Sequence, residues 1–134
     1  MTNTDFKVAG SGEALVRIRT DRPQDWFETT ESRVKKVAVL EANWDSYGAL
    51  PVSRVAAQYA LSLVAYLSNY EGVAEPKVTA TPDGNVVLHW LDELRSIDVE
   101  IDDRGIMEFD VEGSQEVDGR TSDMAKVLEI VTKL

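Results

Sequence analysis

The most constraining feature of this sequence is a strict alternation of apolar and acidic residues over residues 97–102 and again over residues 107–112. Two runs of apolar residues alternate with acidic ones, and Asp103-Arg104-Gly105 separates the two runs. The acidic positions are Asp98, Glu100, Asp102, Glu108, Asp110 and Glu112. A period of two is typical of strands with one buried and one solvated face. The pattern therefore predicts an antiparallel hairpin whose outer face is acidic.

A second hairpin is predicted just before the first. Residues 77–81 and 85–91 flank Pro82-Asp83-Gly84, where proline presets one turn position and glycine supplies a positive φ. The two hairpins together predict an antiparallel four-stranded meander, and residues 113–120 are predicted to be a polar loop. The predicted buried face comprises Val78, Ala80, Val86, Leu88, Trp90, Ile97, Val99, Ile101, Met107, Phe109 and Val111.

Three amphipathic helices are available to cover this apolar face. Pro23 suits the first turn of a helix over residues 23–43, and Ser53 is placed to cap a second helix. Thr121 or Ser122 can cap a third helix at the end of the sequence. The predicted fold class is α+β, with two N-terminal helices and a C-terminal helix on one face of the sheet.

A chain of 134 residues fits one domain of ordinary size. Residues 1–12 end in Ala9-Gly10-Ser11-Gly12 and are predicted to be a flexible leader. Residues 15–19 are compatible with a short strand. Residues 13–134 are therefore predicted to form a single α+β domain.

The chain is strongly acidic, and its negative charge is unevenly distributed along the sequence. Asp and Glu number 24 against 14 Lys and Arg, which gives a formal net charge of −10. Up to Leu91 the chain has 11 acidic and 9 basic residues, and after it 13 and 5, so the net charge is −2 before and −8 after. Because nucleic acid and anionic lipid are themselves negative, we do not expect a chain with this charge to bind either of them directly.

The absence of cysteine limits the catalytic and metal-binding chemistry open to the chain and bears on its cellular compartment. With Cys 0 there is no disulfide, no thiolate nucleophile and no thiolate metal site. Residues 1–12 lack the apolar stretch of a signal peptide, and no run approaches the roughly 18 apolar residues of a membrane span. These observations predict a cytoplasmic protein.

The acidic outer face has two interpretations. Like charges directly opposite each other on neighbouring strands cost up to roughly 1 kcal/mol per pair, so folding alone does not select them. They can serve solubility and blunt the sheet edges. Alternatively, they form an electrostatic docking surface for a basic partner.

The docking interpretation leads to a functional hypothesis. Carboxylates on one face of a strand are about 7 Å apart, comparable to the spacing of phosphates along an extended nucleic-acid backbone. The six acidic positions are therefore the predicted partner-binding residues, and they would occlude a basic, nucleic-acid-binding surface of another protein. Inhibitors of the anti-CRISPR type and antitoxins have this requirement. The alternative is a structural or accessory interaction module without mimicry, such as a homodimer, whose sheet edge or Trp26-Phe27 region makes the contact.

Catalytic and metal-binding motifs are not evident. The sequence has no phosphate loop, dinucleotide fingerprint, nucleophile elbow or zinc-ligand spacing. His89 is the single histidine, on the predicted outer face, either as a general base or as an ordinary surface or packing residue. The acidic spacing is unlike that of a calcium-binding loop. The expectation is a protein that is not an enzyme and has no metal or cofactor.

Residues 43–49 stand out between the first two helices. Trp44, Asp45 and Tyr47 are interpreted either as a secondary recognition loop, because aromatic side chains often anchor interfaces, or as a helix-helix corner.

The sequence Asn-Trp-Asp-Ser-Tyr-Gly-Ala at 43–49 is followed by Pro51-Val52-Ser53-Arg54 and by Thr81-Pro82-Asp83-Gly84. The chain thereby resembles a group of small, mostly uncharacterised bacterial proteins with an N-W-D-x-Y-G-A corner and a T-P-D-G hairpin. The resemblance covers roughly residues 40–110. It implies a shared fold and no particular activity.

Overall fold

The computed structural model describes residues 23–133, which form three helices and one five-stranded sheet. The elements in chain order are α1 (Phe27–Ala38), α2 (Arg54–Leu67), β1 (Lys77–Ala80), β2 (Val86–Leu91), β3 (Arg95–Ile101), β4 (Met107–Gly113), β5 (Val117–Thr121) and α3 (Met124–Lys133). The predicted α+β class is confirmed. The leader expected at residues 1–12 and the strand expected at residues 15–19 lie outside the described residues.

The sheet is an antiparallel meander. Its strand order is β1-β2-β3-β4-β5, so each strand is hydrogen-bonded to its neighbours along the chain. The two predicted hairpins are present as β1-β2 and β3-β4. The sheet differs from the expectation in having five strands rather than four.

The fifth strand corrects the prediction that residues 113–120 are a loop. In β5 the charged residues Asp118 and Arg120 face solvent, while the central inward position is Gly119. Gly119 lies opposite Phe109, and a Cβ atom at Gly119 would be only 2.8 Å from Phe109 Cζ. Because the bulky ring requires glycine there, the strand lacks the apolar side chain that would make its alternation visible in the sequence.

The helices cover one face of the sheet and enclose the core between the two layers. α2 packs against β2 and β3, α1 packs against α2 and β1, and α3 packs against α2 and β5. The apolar residues of β2, β3 and β4 that were predicted to face inward are all buried. Val78 and Ala80 are only half-buried, because β1 lies at the edge of the sheet.

The first helix is shorter than predicted at both ends. It spans Phe27–Ala38 rather than residues 23–43. Pro23 therefore precedes the helix instead of opening it. At the other end, Asn43 has a φ of 64°, a left-handed conformation that an α-helix cannot contain.

Side-chain caps fix the starts of the other two helices. Ser53 Oγ accepts a hydrogen bond from Ala56 N at 3.2 Å, so the predicted cap of α2 is confirmed. In front of α3, Asp123 Oδ1 accepts a hydrogen bond from Ala125 N at 3.0 Å. Thr121 instead accepts a hydrogen bond from Asp123 N, so the cap lies beyond the residues predicted for it.

Candidate functional site

The outer face of the sheet carries the acidic side chains in rows that run across the strands. Two rows follow from the strand registers. The first row is Lys77, His89, Asp98, Asp110 and Asp118, and the second is Thr79, Val87, Glu100, Glu108 and Arg120. Strands are about 4.8 Å apart and successive outward residues about 7 Å apart, so the carboxylates form a regular two-dimensional array.

These rows surround a shallow depression of about 550 Å³. The charged residues that line it are Asp98, Glu100, Glu108, Asp110, Asp118 and Arg120. We call this charged set the acidic depression below.

Most of the charge in the acidic depression is not neutralised across the strands. Asp110 lies directly opposite Asp98 on one side and Asp118 on the other. Glu100 lies opposite Glu108. Repulsion between such pairs lowers the free energy of unfolding, because side chains that are directly opposite lie within about 5.5 Å.

Arg120 is the cation that lines the acidic depression. Its Nε atom is 3.7 Å from Glu108 Oε2, and both side chains are largely exposed to solvent. An exposed pair of this kind contributes at most about 1 kcal/mol. One partly solvated cation among five carboxylates leaves the depression negative.

His89 lies at the margin of the acidic depression. Its Nδ1 atom is 2.5 Å from Asp98 Oδ1 on the neighbouring strand. This contact makes His89 a cross-strand partner of one predicted site residue. The register of β2 and β3 places His89 opposite Asp98. The separation of the two residues along the sequence does not by itself predict this contact.

Asp102 does not belong to the acidic depression, although its position in the alternation predicted that it would. Its carboxylate lies in the turn after β3, where Oδ1 accepts hydrogen bonds from Arg104 N and Ile106 N, both at 2.9 Å. Burial raises the pKa of this carboxyl, but the two amides and the Arg104 guanidinium together hold it below its usual range. Asp102 therefore stabilises the turn.

Glu112 is also displaced from the acidic depression. It is exposed on β4 opposite Ser96 and lines a second depression of about 300 Å³. Asp110 and Asp118 line both depressions, and Glu116 lines the second. Sequence reasoning missed Asp118 and Glu116, since neither could be assigned to the outer face while β5 was unrecognised.

The corner at residues 43–49 is held by its own polar side chains. Asp45 Oδ1 accepts hydrogen bonds from Tyr47 N at 2.8 Å and from Ala49 N at 3.1 Å. Asn43 Oδ1 accepts one from Gly48 N at 2.8 Å. These side chains therefore define the loop, as expected for a helix-helix corner.

Among the predicted recognition residues of this corner, Tyr47 differs from the other two. Trp44 is half-buried and its indole Nε1 donates to Leu50 O at 3.1 Å, while the Asp45 carboxylate is occupied by backbone amides. Tyr47 is 92% exposed. The corner thus presents one aromatic side chain on a well-defined loop.

The chain between the corner and α2 is hydrogen-bonded to the turn between β1 and β2. Leu50 N donates to Pro82 O at 2.8 Å, and Ser53 N donates to Gly84 O at 2.8 Å. The end of the corner and the start of α2 are therefore bonded to the turn between β1 and β2.

The Trp26-Phe27 region lies at the helix layer and contributes to the core. Phe27 is buried, and the indole Nε1 of the half-buried Trp26 donates to Val73 O at 3.0 Å. These contacts leave little of this region available as the contact surface that the alternative hypothesis assigned to it.

Comparisons with protein-family models, curated proteins and solved structures found no match to this chain. Within residues 23–133, no group of three or more His, Asp or Glu side chains is arranged to hold a metal ion. No helix in the same part of the chain has both the length and the apolar character needed to cross a bilayer.

Proposed function

We propose that the protein is a binding protein whose acidic depression occludes a basic, nucleic-acid-binding surface of a partner protein. The observation that carries this proposal is the convergence of five carboxylates from three strands on one depression. Like charges were placed opposite each other there in spite of their cost to stability. A basic partner would relieve that repulsion on binding.

The array supports mimicry of a phosphate backbone in particular. Its carboxylates are spaced by about 4.8 Å across the strands and about 7 Å along them. Lys and Arg side chains that contact successive phosphates would find negative charge at comparable intervals. The opposing charges would also accelerate association and make it sensitive to ionic strength.

Inhibitors of the anti-CRISPR type and antitoxins are the classes that fit this proposal. In both, a small protein blocks a larger protein that handles nucleic acid. The proposal assigns no catalytic residue and no cofactor, and it places the protein in the cytoplasm with such partners.

The test is competition between the protein and nucleic acid for the captured partner. Immobilised protein should retain a basic partner from host lysate at low salt and release it on addition of salt or nucleic acid. The purified partner should then lose binding to its nucleic acid when the protein is added. Retention that nucleic acid cannot compete would contradict the proposal.

A matched pair of variants assigns the binding to the acidic depression. The first variant carries Asp98→Asn, Asp110→Asn and Asp118→Asn. The control carries Glu28→Gln, Glu41→Gln and Glu71→Gln, which are exposed residues of the helical side of the chain. Both remove three negative charges, so net charge is equal. We expect the first to lose inhibition and the control to keep it, and equal behaviour of the two would contradict the proposal.

Tyr47 favours a second candidate function, an interaction module without mimicry. Its ring is 92% exposed on a loop that Asn43 and Asp45 hold in one conformation. An ordered aromatic side chain loses little entropy on binding. If this function is correct, Tyr47→Ala should abolish partner capture that persists at high salt, whereas the acidic-depression variant should retain it.

A further inference from the structure

The outer edge of the sheet at β5 is complementary in charge to a second copy of itself. Among residues 23–133, β5 pairs with β4 alone, so its other side presents unpaired backbone N–H and C=O groups. The sequence of β5 is Val117-Asp118-Gly119-Arg120-Thr121. The two charged residues flank Gly119 symmetrically and carry opposite signs.

We infer that this edge is a homodimer interface, in which β5 of one copy pairs antiparallel with β5 of the other about Gly119. In that register Asp118 of each copy lies opposite Arg120 of the other, and Val117 lies opposite Thr121. The two-fold axis passes beside Gly119. The arrangement is isologous, as expected of a closed dimer.

Backbone geometry and charge together single out this register. In an antiparallel pair, alternate residues point their N–H and C=O groups toward the partner, so opposite residues must be both odd-numbered or both even-numbered. A shift of the pairing in one direction places Asp118 opposite Asp118, and a shift in the other places Arg120 opposite Arg120. The Gly119-centred register avoids both repulsions and forms roughly four to six main-chain hydrogen bonds.

The opposite edge of the sheet lacks this property. β1 is a strand of four residues, and Lys77 is its one charged residue. Self-pairing of β1 therefore offers no pair of opposite charges. Of the two edge strands, β5 alone therefore has a charge pattern that is complementary to itself.

The dimer would have its helices on one side and its acidic faces on the other. Directly opposite residues in an antiparallel pair project from the same face, so the two outer faces join into one surface. α3 packs against β5 in each copy, which brings two α3 helices to the same side of the joined sheet. This inference does not depend on the proposed function, because self-association can be measured without any other partner.

The first test is the mass of the full chain in solution. Sedimentation equilibrium from micromolar to millimolar concentration should give a species of twice the 14.9 kDa chain mass. Asp118→Arg places Arg opposite Arg, and Arg120→Asp places Asp opposite Asp. Each should weaken dimerisation by at least about tenfold. A wild-type chain that is monomeric throughout would overturn the inference.

Charge-swap variants separate a lost interface from a damaged fold. The double variant Asp118→Arg/Arg120→Asp keeps the net charge and restores opposite signs across the axis, so it should dimerise. An equimolar mixture of the two single variants should form a heterodimer, since Arg pairs with Asp at both positions. Dimerisation of the single variants equal to that of the wild type would overturn the inference.

Cysteine cross-linking tests the register itself, and the natural chain adds no background because it has Cys 0. Val117→Cys and Thr121→Cys lie opposite each other in the inferred pair, at a separation that a disulfide can span. Oxidation of the mixed variants should give a linked dimer, and oxidation of either variant alone should not. Linkage of either variant to itself would contradict the register.

Discussion

Asp98 of β3 and Asp110 of β4 are directly opposite residues, and both project from the outer face of the sheet. Asp110 is also opposite Asp118 of β5, so its carboxylate lies between two like charges. No cation within the described residues forms an ion pair with Asp110 or Asp118. The repulsion at the centre of the acidic depression is therefore not offset by an ion pair to Asp110 or Asp118 within the described residues.

Asp110→Asn should raise the free energy of unfolding by about 0.5–1 kcal/mol at low ionic strength, because it removes repulsion with Asp98 and Asp118. The gain should shrink in concentrated salt, which screens exposed charges. Urea denaturation at two salt concentrations measures both effects. Glu41→Gln is the control, since Glu41 is an exposed carboxylate outside the sheet. A destabilised Asp110→Asn variant would contradict the prediction.

Asp102 should make the stability depend on pH in the acid range. Burial raises the pKa of its carboxyl, but the amides of Arg104 and Ile106 and the Arg104 charge bring it below the ordinary value of 3.8. A carboxyl with a lower pKa in the folded state stabilises the fold above its unfolded pKa, and this stability is lost as pH falls through the folded pKa.

We therefore expect the wild type to exceed Asp102→Asn in unfolding free energy near neutral pH, with the difference shrinking below about pH 4. Chemical denaturation at a series of pH values gives the measurement. Asp103→Asn makes the same change in charge at an exposed neighbouring residue and serves as the control. A difference that does not change with pH would refute the assignment.

Asp45→Ala should lower the free energy of unfolding by about 1–2 kcal/mol, because Tyr47 N and Ala49 N lose their shared acceptor. Asp45→Asn keeps one acceptor oxygen and should lose less. Thermal unfolding followed by tryptophan fluorescence reports on both the fold and the nearby Trp44. Equal losses in the two variants would show that the hydrogen bonds do not hold the corner.

Gly84→Ala should be more destabilising than Gly72→Ala by about 1 kcal/mol or more. Both glycines have positive φ, at 87° and 83°, so both substitutions introduce the same backbone strain. A Cβ at Gly84 would also lie 2.6 Å from Pro51 O, whereas no atom lies within 4 Å at Gly72. Chemical denaturation of the two variants isolates this contact. Equal losses would mean that the turn and the corner are not tightly packed.

The sequence predicts the sheet best where inward residues are large. From Ile97 to Ile101 and from Met107 to Val111 every inward residue is apolar and bulky, so the period of two is unmistakable and these residues are buried as predicted. In β5 the same period is present, but Gly119 replaces the central apolar residue because the Phe109 ring lies against it. A requirement imposed by a neighbouring strand cannot be read from five residues alone.

The candidate site was predicted in part, because the alternation in β3 and β4 assigns their outward residues correctly. Asp98, Glu100, Glu108 and Asp110 lie on the outer face as their alternation predicts. Asp102 continues that alternation in sequence, yet the chain turns after Ile101 and backbone amides take its carboxylate. Hydrogen bonding in the turn therefore decides the position of the Asp102 carboxylate. The alternation of apolar and acidic residues does not indicate that β3 ends at Ile101.

The meander order has a consequence for how the chain reaches its native state. Each strand pairs with the strands adjacent to it along the chain, so the sheet can assemble by successive short loop closures. α2 precedes every strand, and its Leu61, Leu63 and Val64 are fully buried. During synthesis α2 therefore emerges before the strands that cover it, and its apolar side chains remain exposed in the nascent chain until those strands have paired.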